Sequence, residues 1–196
     1  MHSGPIFLTG FMGCGKSTLG TALARLYGDI ADFSDLDDII SSEAGMSIPE
    51  IFATHGEEGF RRMESECLRR IAAESGGSGR RLVVACGGGT PCREENIAIM
   101  SEGGCMVFLE APVEVLVRRL MEAPAGQRPL LDGLKGEAEV RKFVEERLAA
   151  RMPYYSRATR RFDSSRLEDS GQIEATAKEF YDTFLRECDN PTDKTN

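Results

Sequence analysis

Gly10-Phe11-Met12-Gly13-Cys14-Gly15-Lys16-Ser17-Thr18 follows directly on the apolar run Pro5-Ile6-Phe7-Leu8-Thr9. The stretch fits G-x-x-x-x-G-K-[ST] at every fixed position. Leu19, Leu23 and Leu26 give the next segment one apolar helical face, so the loop stands between a strand and a helix. Glycines at 10, 13 and 15 let the backbone turn tightly and aim its N–H groups inward as an anion-binding nest. The start of the helix adds its own partial positive charge. In such a loop Lys16 reaches the β- and γ-phosphates and the Ser17 hydroxyl serves Mg²⁺. With strand, loop and helix in register, a chance glycine-rich turn is the weaker reading. The chain is expected to bind a nucleoside triphosphate.

Outward from that loop, 196 residues suffice for one substantial core and fall short of two full domains. The composition, 41% apolar and 29% charged, is that of an ordinary soluble globular protein. No run approaches the ~18–20 apolar residues that span a bilayer. The first residues carry no export pattern, so a cytoplasmic location is expected. Cys14, Cys67, Cys86, Cys92, Cys105 and Cys188 show neither C-x-x-C pairs nor metal spacing and read as reduced thiols. A net charge of −8 with no basic stripe argues against nucleic acid as a partner. Basic residues are mostly arginine, suited to forked capture of carboxylate and phosphate.

Strands are expected at about 5–9, 30–35, 82–86, 105–109 and 159–163. Helices are expected from the loop to about 27, at 38–45, from Ser47 through Phe52, at 57–74 and 94–102, and after Pro112. Two more run from Glu137 to about Met152, stopped near Pro153, and from Ile173 to Arg186. Ser47-Ile48-Pro49-Glu50 is a capping box, and His55-Gly56 ends the short helix that it opens. Gly76-Gly77-Ser78-Gly79 closes the 57–74 helix as a turn. Residues 123–136 break all periodicity with two prolines and three glycines. Strands separated by helices define an α/β parallel sheet with right-handed crossovers in one domain. The last ten residues form a polar, frayed tail.

A phosphate loop does not name a reaction. No asparagine begins the Asn-Lys-x-Asp of a guanine reader. The strand at 82–86 ends in Cys86 and Gly87-Gly88-Gly89, without the usual aspartate. The strand that does end in carboxylates carries Asp35 and Asp37, which on an extended chain share a face at the end where open parallel sheets bind ligands. One carboxylate can serve Mg²⁺ and the other can orient and deprotonate a hydroxyl. Asp38 reads as a helix-start acid. Three glycines after a buried strand offer bare backbone N–H groups to a ring-shaped ligand. Arg61, Arg119, Arg128 and Arg151 fall in regions that flank the cleft. Arg62, Arg69, Arg70, Arg141 and Arg147 read as solvated helix faces.

These residues carry a resemblance to the shikimate kinases over about residues 5–186. Its motifs are Gly10–Thr18, Asp35-x-Asp37, Gly56-Glu57-Glu58-Gly59-Phe60-Arg61-Arg62-Met63-Glu64, Gly87–Gly89, Arg128-Pro129-Leu130-Leu131 and Arg151-Met152-Pro153-Tyr154-Tyr155. The resemblance implies a P-loop kinase fold: a five-stranded parallel sheet flanked by helices, a substrate-binding helical region at about 36–64 and a mobile lid at about 122–136. It implies transfer of the γ-phosphoryl group of ATP to the 3-hydroxyl of shikimate, with Mg²⁺, by a monomer.

Residue by residue, it puts Asp37 on the substrate hydroxyls as orienter and base. Arg61 and Arg151 clamp the carboxylate, Gly87, Gly88 and Gly89 line the ring site, and Phe52 and Phe60 wall it. Gly13, Cys14, Gly15, Lys16, Ser17 and Thr18 hold the nucleotide, Ser17 and Asp35 the metal, and Arg128 the transferring phosphoryl group. Arg119 lies near the adenine, with Arg166 as a second candidate there. Two departures from the family are visible: Cys86 stands where a threonine or another small residue is common, and the stretch before Arg128 is longer than in some relatives. Two competing readings are a kinase of another polyol acid such as gluconate and a nucleotide-binding scaffold without activity.

Overall fold

The computed structural model describes residues 4–74, 80–124, 131 and 133–186. Five strands, β1 (Ile6–Thr9), β2 (Ala31–Asp35), β3 (Arg81–Ala85), β4 (Cys105–Glu110) and β5 (Arg160–Asp163), form one sheet in the order β2-β3-β1-β4-β5. Every pairing is parallel. Alternation along the central strands sends Ile6, Leu8 and Val83 into one apolar cluster and Phe7 and Val84 into another on the opposite face. Both faces are therefore covered, as an all-parallel sheet requires.

Helix α1 (Lys16–Leu26) covers the first face through Leu19 and Leu23, with α5 (Val113–Glu122), α6 (Gly136–Tyr155) and α7 (Ser170–Phe184). Tyr27, just past α1, stacks on Tyr181 of α7 with ring centroids 4.1 Å apart. The second face takes α2 (Leu36–Ala44), α3 (Ile48–Glu74) and α4 (Glu94–Gly103), through Leu36, Ile40, Phe60, Leu68 and Met100. A 3-10 turn at Thr90–Cys92 leads from the triple glycine into α4. Among the described residues no helix is long and apolar enough to cross a membrane.

The elements follow the expected order, with three differences. Helix α6 continues through Pro153 to Tyr155 instead of stopping before the proline. Asp37 lies in the first turn of α2, so it is not two residues along an extended strand from Asp35; Asp35 itself caps α2, accepting the Asp37 N–H at 3.1 Å. The third strand ends at Ala85, one residue before Cys86. The expected break at Gly56 is present: with φ 67° and ψ −179° it divides α3 into two helical segments. The capping box forms: Ser47 N–H donates to Glu50 at 2.8 Å and Glu50 N–H to Ser47 Oγ at 3.4 Å. The turn at Gly76–Gly79, Arg128 on the lid and the C-terminal tail lie outside the described residues.

Candidate active site

The loop after β1 wraps the start of α1. Gly15 caps that helix with φ 96° and makes no side-chain cap. A side chain there would also collide with Leu167, whose Cδ1 lies 2.3 Å from the position of an added methyl group. No described acceptor takes the N–H groups of Gly15, Lys16, Ser17 or Thr18. They form an open set of donors at a helix start, where the dipole favours an anion. Lys16 Nζ bridges the loop's own carbonyls, donating to Gly10 at 2.9 Å and Phe11 at 3.1 Å, with Cys14 Sγ 3.6 Å away. The expected phosphate-binding residues are thus one structural unit.

Beside this cradle Ser17 Oγ donates to Asp35 Oδ2 at 2.9 Å. Two hard oxygen donors side by side suit magnesium, which takes one or two protein ligands and fills its octahedron with water and phosphate oxygens.

On the acceptor side functional side chains gather around the glycine triplet. A methyl group added to Gly87 would lie 3.2 Å from Thr90 Oγ1 and 3.7 Å from both Asp37 Oδ1 and Glu64 Oε1; on Gly88, 3.0 Å from Arg151 Nη1; on Gly89, 2.9 Å from Arg61 Nη2. The triplet's N–H groups have no described acceptor, while the Gly87 and Gly89 carbonyls accept from Thr90 and Cys92. Asp37 is pushed up from 3.8 to about 6, first by burial and then by the charges of Asp35 and Glu64, against the pull of Lys16. A carboxylate of that basicity is poised to accept a proton near neutral pH.

Arg61 rests over the Phe60 ring, 5.3 Å from its centroid, and Phe60 packs on the half-exposed Phe52 at 4.7 Å. Arg151 lies 5.8 Å over the Phe11 ring. The two guanidiniums are thus held on aromatic faces beside Gly88 and Gly89.

Sequence reasoning missed what holds Arg61 in place. Glu64 is wholly buried and pairs with Arg61 Nη1 at 3.0 Å; it also accepts Thr90 Oγ1 at 2.5 Å and Asn96 Nδ2 at 3.4 Å. Asn96 donates to the Thr90 carbonyl at 2.9 Å and accepts from Ser65 Oγ at 2.6 Å. A charged residue on the buried stripe with Phe60, Cys67 and Leu68 was the available signal.

Arg119 lies at the phosphate loop, donating to the carbonyls of Gly13 at 3.3 Å, Ser164 at 3.1 Å and Ser165 at 2.9 Å, and pairing with Glu168. Arg166 follows Ser165, whose carbonyl Arg119 holds, and its exposed guanidinium pairs with Glu179 of α7 at 2.8 Å. Arg69 and Arg70 sit in exposed pairs with Glu95 and Glu43, Arg141 bonds Glu137 and Glu114, and Arg147 covers the Phe143 ring. Cys86 is buried with its sulfur 3.9 Å from the Val84 carbonyl and from Met100 Sδ. Burial holds its thiol protonated by raising its pKa well above the usual range.

A donor nest, a half-buried carboxylate of raised basicity and two guanidiniums gathered at the C-terminal ends of neighbouring parallel strands define a phosphate-loop kinase acting on a small molecule. A family model, Shikimate kinase, matches residues 12–185. The shikimate kinase of Phocaeicola vulgatus is 41% identical over 171 residues, which is 87% of this chain and 93% of that protein. The crystal structure of shikimate kinase from Bacteroides thetaiotaomicron matches with a TM-score of 0.80 at 38% identity, covering 92% of this chain and 97% of the other. Shikimate kinase from Acinetobacter baumannii in complex with shikimate matches with a TM-score of 0.72 at 30% identity, covering 94% of each chain. The chain belongs to the shikimate kinase family.

Proposed function

We propose that this chain transfers the γ-phosphoryl group of ATP to the 3-hydroxyl of shikimate, giving shikimate 3-phosphate and ADP, a step on the route to chorismate and the aromatic amino acids. The observation that carries the reading is the gathering of Asp37, Arg151 and Arg61 around the backbone of Gly87, Gly88 and Gly89. One small ring bearing hydroxyls and a carboxylate satisfies all three against bare backbone.

In this reading Asp37 orients the acceptor hydroxyl and takes its proton as the new O–P bond forms and the bond to the ADP oxygen breaks. Lys16 and the N–H groups of residues 13–18 stabilise the charge on the phosphoryl oxygens, joined by Arg128 from the lid. Ser17 and Asp35 hold Mg²⁺, which neutralises phosphate charge when bound. Arg61 and Arg151 grip the carboxylate, and Phe52 and Phe60 wall the ring. Arg119, fixed against the loop, is the adenine-side arginine, with Arg166 as the second candidate there.

Residues 1–186 act as one domain, with acceptor binding at about 36–64, a lid at about 122–136 and a tail at 187–196. We assign the chain to the cytoplasm, where ATP is supplied, as a monomer. A coupled ADP-release assay with Mg·ATP and shikimate, gluconate, quinate or no acceptor tests the reading. Turnover with shikimate is expected. Turnover with gluconate alone would move the chain to another polyol-acid kinase, and ATP binding without acceptor-dependent turnover would mark a non-catalytic protein.

A further inference from the structure

Tyr155 is the last residue of α6, one helical turn beyond Arg151, and it is wholly buried. Its ring stacks on Phe108 of β4, with centroids 5.1 Å apart. Its hydroxyl donates to the Gly88 carbonyl at 2.7 Å. Burial raises the pKa of this phenol, and the positive charge of Arg151 beside it pulls the other way. A methyl group on Gly88 would meet Arg151 Nη1 at 3.0 Å, the Gly10 carbonyl at 3.5 Å and Tyr155 Oη at 3.6 Å. Gly88 is thus the point where the clamp, the phosphate loop and the end of α6 come together.

A phenol suits this junction because it has one proton to give and lone pairs to receive. The proton goes to Gly88, and the lone pairs stay open to the positive charge of Arg151 nearby. Across a trans peptide the C=O and the following N–H point in opposite directions. Holding the Gly88 carbonyl therefore aims the Gly89 N–H to the other side of the loop, where no described acceptor takes it. Packing alone would be served by a phenylalanine, since a buried hydroxyl is costly unless it is bonded. The helix also runs on past Pro153, against the usual effect of a proline, and so delivers this side chain beneath Gly88.

We propose that Tyr155 is a positioning residue that sets the carboxylate clamp in register with the glycine backbone of the acceptor site, through a hydroxyl bonded to Gly88 at the point where Arg151 crowds that glycine. The inference deepens the proposed function and rests on its reading of Arg151 and Gly87–Gly89 as acceptor contacts. Because the hydroxyl touches neither the nucleotide loop's N–H groups nor Asp37, its effect falls on acceptor affinity.

The test is Tyr155→Phe in the full chain, with steady-state KM for shikimate and for ATP, kcat, and a melting curve. Calorimetric shikimate binding is measured for Tyr155→Phe, Arg151→Ala and the double variant. Loss of one buried hydrogen bond predicts a rise in shikimate KM of about fivefold to tenfold. ATP KM and kcat are expected to stay within about twofold. In the Arg151→Ala background, removing the hydroxyl should cost less than about twofold, because the guanidinium it positions is gone. Gly88→Ala, which crowds Arg151 with the tyrosine intact, should show the same split between the two KM values; it decides the matter if Tyr155→Phe fails to fold.

Equal loss in both backgrounds, an equal rise in both KM values, or an unchanged shikimate KM would each overturn the proposal. If the unaltered chain phosphorylates shikimate and the variants behave in one of those ways, this inference fails alone. If it does not accept shikimate at all, the proposed function fails with it.

Discussion

Asp37 is held where its charge is disfavoured. The shift from 3.8 to about 6 means that the folded chain keeps this proton more tightly than the unfolded chain does. Stability therefore falls as pH rises between those two values, and at pH 7 the ionised side chain costs the fold up to about 3 kcal/mol. Asp37→Asn should then do two opposite things at neutral pH. It should raise the melting temperature, and it should cut kcat by about 10²–10⁴ with ATP affinity nearly unchanged. Calorimetry and initial rates on one preparation check both. The kcat/KM profile of the unaltered chain should fall on the acid side with an apparent pKa near 6, from the same cause. Arg61 presents the converse case, a cation whose loss strips the buried Glu64 of its partner. Arg61→Ala should raise shikimate KM by about 10–100-fold, the range for a charged hydrogen bond, and ATP KM far less. Equal rises would remove Arg61 from the clamp.

Among the elements, α4 supports the site without touching it. Asn96 reaches from α4 to Glu64 of α3 and to the Thr90 carbonyl, tying the helix that carries Arg61 to the turn that follows the glycines. Asn96→Ala should destabilise the fold by about 1–3 kcal/mol, since it leaves buried partners unsatisfied, and it should also weaken shikimate binding. Ser47→Ala, at the exposed capping box, should cost about 1 kcal/mol and leave both KM values alone. Thermal melts with paired kinetics separate the two.

How far the elements can be read from the chain follows from which forces decide them. The strands and most helices are set by local periodicity, and Leu19, Leu23, Val83 and Val84 announce their faces. The course of α6 is not local: Pro153 argues for a stop, and the anchoring of Tyr155 beneath Gly88 overrides it. The Asp35–Asp37 pair was read on an extended backbone, whereas the capping bond from the Asp37 N–H to Asp35 turns the chain into a helix two residues earlier, at Leu36. Glu64, Thr90 and Asn96 meet only through tertiary packing, so no spacing along the chain reveals their network. Lys16, Ser17, Asp35, Asp37, Arg61 and Arg151 were legible because phosphate and carboxylate chemistry demands those side chains at motif positions.

For the whole molecule, ligand binding should appear as stability by mass action. Shikimate or Mg·ATP at about 100-fold over Kd should each contribute about 2.7 kcal/mol, raising the melting temperature by roughly 5–10 °C in a domain of this size. A chelator should abolish turnover and the Mg·ATP shift while leaving the shikimate shift in place. A shikimate shift lost to the chelator would put the metal in the acceptor site.

The register of β1 on β3 has a consequence for the reaction itself. Leu8 is paired with Ala85, and Cys86 N–H donates to the Leu8 carbonyl at 2.9 Å. Both strands therefore release their loops at the same level, Gly10 on one side and Gly87 on the other. Parallel neighbours lie about 4.8 Å apart, so the sheet acts as a ruler for the hop from donor to acceptor. Lengthening either strand by one residue would leave two competent pockets, each able to grip its own guest, at the wrong distance for the phosphorus to cross.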